Sequence, residues 1–176
     1  MHLGILLGNV SHSERVSVLC RDILCRTNMV VAHFRLLTPE SMYFLFKAFA
    51  MPLYGSQMLD LADSATNRLY TAWRKAIRML LKLPLRTHSS LLHIICNDVS
   101  VEEQSCRRFL SFFQSVYQAQ NAVTRLCARL ALEGSRSDAS SSISHVAAHY
   151  QIPRHAICDY KFRVSPLADE DLSQRA

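Results

Sequence analysis

The sequence predicts a mainly α protein, an irregular helical bundle with a short N-terminal β-strand and a disordered C-terminal tail. Three observations carry that expectation. Only 4 Gly and 5 Pro occur in 176 residues, too few turn residues for the regular reversals of a sandwich or barrel. Apolar residues recur at intervals of three and four along most of the chain, the period of a helix face. Finally, 49% hydrophobic and 19% charged residues exclude a collagen-like or solvating chain, and this length can bury a sizeable core.

His2–Leu7 reads as a short apolar strand closed by the polar turn Gly8–Ser13. It has no pairing partner in an otherwise helical sequence, so the chain looks cut. From Ser13, a reasonable N-cap, Val16, Leu19, Cys20, Ile23, Leu24, Met29 and Val30 mark a first helix. Thr38-Pro39-Glu40-Ser41 opens a second, with Thr as cap and Pro at the first helical position. It runs through Tyr43, Leu45, Phe46 and Phe49 toward Pro52 and Gly55, apolar almost all round, as a helix is when most faces are buried or one lies at an interface.

A third helix spans about Asp63 to Leu83 and is expected to end at Pro84. Leu69, Tyr70, Trp73, Ala76, Ile77 and Leu80 fill one broad side, while Arg68, Arg74, Lys75, Arg78 and Lys82 share an arc of about 120°. No acid interrupts that arc. It is either a phosphate track or simply the solvated face of an amphipathic helix; Trp73 belongs to the core side and not to a stacking platform. Arg86 and His88 follow in a loop before an apolar turn, Leu91–Ile95. Ser100 and Glu103 have capping-box spacing and start a fourth helix through Phe109, Phe113 and Tyr117. A fifth, about Ala122 to Leu132, stops at Gly134. Residues 134–142 read as a Ser-rich linker, 143–163 as a weak helical segment with Pro153, and 164–176 as a disordered acidic tail.

The chain carries +6 at pH 7, with 16 Arg against four Lys, and residues 1–163 alone carry +8. A surplus of forked guanidinium groups suits contact with phosphate. Four scattered glycines supply neither a phosphate-cradling loop nor a dinucleotide fingerprint, so no cofactor is expected. Nor is there a close aspartate pair at a strand turn to hold two catalytic metal ions; Asp169-Glu170-Asp171 reads as solvated tail. His145, His149, His155 and Cys158 leave two readings open, a zinc site or partly exposed histidines beside a buried thiol, and their spacing matches no standard zinc pattern. Six cysteines without a C-x-x-C pair, behind an N-terminus unlike a secretory signal, are expected to be reduced and mostly buried in an intracellular protein, nuclear or cytoplasmic. No membrane span is expected, because Lys47 interrupts the longest apolar run, Met42–Leu53.

Four short segments recur in a telling order: His2-Leu3-Gly4-Ile5-Leu6-Leu7, Met51-Pro52-Leu53-Tyr54-Gly55-Ser56-Gln57, Thr71 to His88 followed by Asn97-Asp98-Val99-Ser100, and Leu126 to Leu132. Together they resemble the C-terminal region of reverse transcriptases of LINE-type, non-LTR retrotransposons. The first is similar to that family's aromatic-Leu-Gly strand after the palm, with His2 in the aromatic place. The second is similar to its P-x-x-Tyr-Gly-Ser segment, with Leu59 where an aromatic commonly follows. The rest are similar to its thumb and post-thumb helices.

The resemblance implies a fragment: residues 1–12 as a remnant palm-edge strand and turn, and residues 13–133 as a helical thumb-like domain. In that family the thumb grips the template and primer while the palm, with its catalytic aspartates, lies upstream. The implied partner is RNA or an RNA–DNA duplex, held through phosphate contacts by Arg68, Arg74, Lys75, Arg78, Lys82 and Arg86, with no catalysis by this chain alone. Two alternatives stand beside it: a helical interaction module docking a protein partner on the apolar helix Tyr43 to Leu53, and a product of a decayed retroelement without a function.

Overall fold

The computed structural model describes residues 10–51 and 56–160. The strand expected at His2–Leu7, residues 52–55 and the acidic tail lie outside the described residues. Among those described the fold is mainly helical, with no strand. In chain order it contains α1 (His12–His33), α2 (Pro39–Leu45), a π turn (Phe46–Ala50), a 3-10 turn (Ser56–Met58), α3 (Thr66–Leu80), α4 (Ser89–Ile95), α5 (Val101–Tyr117), α6 (Ala122–Leu132), α7 (Asp138–Tyr150) and a last 3-10 turn (Arg154–Asp159).

The cap of α1 is Ser11, not Ser13. Its hydroxyl accepts from the Glu14 N–H (3.2 Å) and the Glu14 carboxylate accepts from the Ser11 N–H (3.0 Å), a reciprocal pair that Ser13 cannot make. Thr38 and Pro39 start α2 as expected. That helix does not continue regularly: the Met51 N–H reaches back five residues to the Phe46 carbonyl (2.9 Å), the signature of a π turn. Phe46, Ala50 and Met51 are thereby buried, while Phe44 and Phe49 face outward.

Helix α3 is shorter than its periodicity implies and is not ended by Pro84. Lys82 adopts φ 52°, and the Leu83 N–H bonds the Arg78 carbonyl at 2.8 Å while the Lys82 N–H bonds Met79, which together close a Schellman motif two residues before the proline. The same closure ends α4 at Asn97, α6 at Gly134 and α7 at Gln151. The expected capping box of α5 is half made. Ser100 accepts from the Glu103 N–H, but the Glu103 carboxylate turns instead to Arg107, His149 and Tyr150.

Two apolar clusters form the core. In the first, Val16, Leu19, Ile23 and Val30 of α1 are buried with Leu69, Trp73, Ala76, Ile77 and Leu80 of α3, joined by Phe46 and Leu92. The α1–α3 pairing is the most extensive in the fold. In the second, Phe109, Leu110 and Phe113 of α5 gather Ala128 of α6, Ile143 and Val146 of α7, and Ile157.

The residues expected as a Ser-rich linker, 134–142, are helical from Asp138 onward. Their serines serve as internal polar links: Ser137 caps α7, and the Ser142 hydroxyl, fully buried, accepts from the Leu61 N–H (3.0 Å) and donates to the Leu59 carbonyl (3.2 Å). All six cysteines are free thiols, but the expectation that most are buried fails. Cys106 and Cys158 are buried, Cys20 and Cys96 half-buried, and Cys25 and Cys127 exposed. No described helix is long and apolar enough to cross a membrane.

Candidate nucleic-acid interface

Helix α3 carries Arg68, Arg74, Lys75 and Arg78 of the expected basic arc, and the structure divides the six candidate cations in two. Three of the six cations are spent on the protein itself. Arg68 donates to Ser13 (3.1 Å) and to the Ser17 hydroxyl, bracing α3 against α1. Arg74 pairs with Glu102 of α5. Arg78 donates to the Thr87 carbonyl through two nitrogens (3.2 and 2.8 Å) and to the Ser89 hydroxyl (3.0 Å), fixing the loop into α4. The other three, Lys75, Lys82 and Arg86, are exposed and make no hydrogen bond or ion pair among the described residues. Lys82 is not on the helix but in the left-handed residue just past it.

Beside Arg74 lies a pocket of about 280 Å³ between α3, α4 and α5. Trp73, Arg74, Ser89, Ser90, His93, Ser100 and Glu102 line it. Trp73 is 2% exposed, and its indole N–H has no partner among the described residues. Sequence reading missed His93, the serines and Glu102, because nothing in the periodicity of α3 shows which residues of α4 and α5 fold against it.

A second feature is apolar. Leu36 is fully exposed and Phe44 is 70% exposed, and with Met29, Phe34, Leu37 and Phe49 they leave an uncovered surface at the end of α1 and along α2. Part of it is a wholly apolar pocket of about 280 Å³ lined by Met29, Val30, His33, Phe34, Leu45 and Phe49. It overlaps the segment Tyr43 to Leu53 singled out as a docking helix; Tyr43 itself points inward, its hydroxyl donating to Asp98 (2.9 Å).

The four candidate metal ligands stay apart. His149 lies 2.9 Å from the Glu103 carboxylate, His155 and His145 are exposed, and Cys158 is buried in the second cluster; partial desolvation and the neighbouring His149 push the His145 pKa down. Among the described residues no group of three or more His, Cys, Asp or Glu gathers to hold a metal. No family model, no curated protein and no solved structure matches this chain.

Proposed function

We propose that this chain is a thumb-like, non-catalytic grip on nucleic acid, of the kind the resemblance to LINE-type reverse transcriptases implies, holding RNA or an RNA–DNA duplex by sequence-independent phosphate contacts. The observation that carries the reading is the run Lys75, Lys82 and Arg86: exposed cations leading from α3 into the following loop, with no acid satisfying them among the described residues. Unpaired surface cations in one stretch are what a phosphate backbone requires, and they release counterions when it binds.

Fluorescence polarisation of the purified chain with a labelled RNA–DNA duplex at two salt concentrations tests it. Three phosphate contacts give a log–log salt slope of about −2 to −3, and the Lys75→Ala, Lys82→Ala, Arg86→Ala triple variant, with unchanged helicity by circular dichroism, loses most of the affinity. Binding insensitive to salt would count against the grip. The uncovered Leu36, Phe44 and Phe49 surface supports a second reading, a protein-docking module. A folded chain that ignores the duplex favours it.

A further inference from the structure

The Arg74 pocket deepens the grip reading and rests on it. A guanidinium has five N–H donors. Arg74 engages Glu102 through Nη2 alone, which leaves its Nε and Nη1 groups unpartnered among the described residues. Both side chains of the pair are about one-third exposed, 32% each, so water reaches it and the pair is easily exchanged. The rest of the pocket offers donors suited to an anion. Ser89 accepts from Arg78, which leaves its own O–H to donate. The Ser90 hydroxyl is spent on His88 Nδ1 (2.7 Å), which also accepts from the Ser90 N–H. The His93 ring has no partner among the described residues, and the ring of Trp73 forms part of the wall. A single carboxylate oxygen on an arginine marks a position that a phosphate oxygen also fits.

We infer that this pocket takes one backbone phosphate of the bound nucleic acid, with the Glu102 carboxylate as the internal stand-in that the phosphate displaces from Arg74. Ser89 and His93 complete the anion's surroundings. Arg74 and Lys75 are consecutive on α3, so the pocket and the run of free cations start from the same turn of that helix.

Trp73 is the only tryptophan in the chain, so its indole N–H gives one unambiguous nuclear magnetic resonance signal at the pocket. In a titration of the full chain with the RNA–DNA duplex, that signal shifts with the midpoint seen by polarisation. Glu102→Gln binds about three- to fivefold tighter and steepens the salt slope by about one. Glu133→Gln, the same charge change at the end of α6, does much less, and adding Arg74→Gln to Glu102→Gln abolishes the gain. A Trp73 signal that stays put while the duplex binds overturns the pocket, as does a Glu102→Gln variant no tighter than Glu133→Gln. In either case, loss of binding in the Lys75, Lys82, Arg86 variant leaves the grip itself standing. No duplex binding by the folded wild-type chain overturns both.

Discussion

A guanidinium reaches a backbone carbonyl as readily as a phosphate, and many arginines of this chain take the first course. Arg154 donates to Leu132 (3.3 Å) and Ala131 (3.0 Å), closing the end of α6; Arg26 and Arg108 hold the Phe49 and Met51 carbonyls at the end of the π turn. Each supplies donors where a helix end leaves acceptors unpaired. The excess of Arg over Lys is therefore in good part a bracing device, and the two lysines of the arc, Lys75 and Lys82, are among the cations left over. One of those carries strain. Lys82 stands at φ 52°, in the left-handed conformation that costs a side chain about 1 kcal/mol and glycine almost nothing. Lys82→Gly is expected to raise stability by up to about 1 kcal/mol in urea unfolding while removing one phosphate contact, so stability and duplex affinity move in opposite directions.

Helices were legible wherever a local signal agreed with the periodic one. Thr38-Pro39 started α2, Gly134 stopped α6 and the Ile77 face of α3 was buried, because caps and amphipathic spacing act within a few residues. The Ser-rich stretch was illegible for the opposite reason. Serines compete with a helix for its own backbone bonds, and only the Leu59 and Leu61 backbone, some 80 residues upstream, shows that Ser142 has a better use. The candidate site divides likewise. Its cations were readable on one face of α3, whereas Glu102 is 28 residues from Arg74 and Ser13 is 55 from Arg68. Ser142→Ala removes both buried links and strands the Leu61 N–H. It is expected to cost about 1–3 kcal/mol and to speed amide exchange in α7 ahead of α1 and α3, since the loss falls on the second cluster.

At the scale of the whole molecule, each apolar cluster is fastened by one carboxylate. Asp98 accepts from Tyr43 (2.9 Å) and pairs with Lys47 (2.7 Å), tying α2 and the π turn to the segment before α5. Glu103 ties α5 to α7 through His149 and Tyr150. Burial alone pushes both carboxyls up, but the hydrogen bonds from Lys47, Tyr43 and the Val99 N–H outweigh it for Asp98, and those from Arg107, His149 and Tyr150 outweigh it for Glu103. Both therefore sit below their usual range. A carboxyl depressed in the fold contributes stability above its unfolded pKa, about 4 to 4.5, and loses it as pH falls through the folded value. The urea midpoint is expected to hold with respect to these two groups between pH 7 and about 5, then drop toward pH 3, and Glu103→Gln should lower the plateau and shallow the drop.

The placement of the thiols gives the second half of the core its own clock. Cys20 and Cys96 border the first cluster, while Cys106 and Cys158 lie within the second. Burial pushes all four pKa values up, Cys96 to about 11 and Cys106 to about 12. Only a thiolate attacks a disulfide reagent, so Cys25 and Cys127 at the surface are consumed first, the half-buried Cys20 and Cys96 follow more slowly, and Cys106 and Cys158 react when the second cluster parts. The slowest labelling rates, resolved by peptide, time the opening of the second cluster in the unaltered chain.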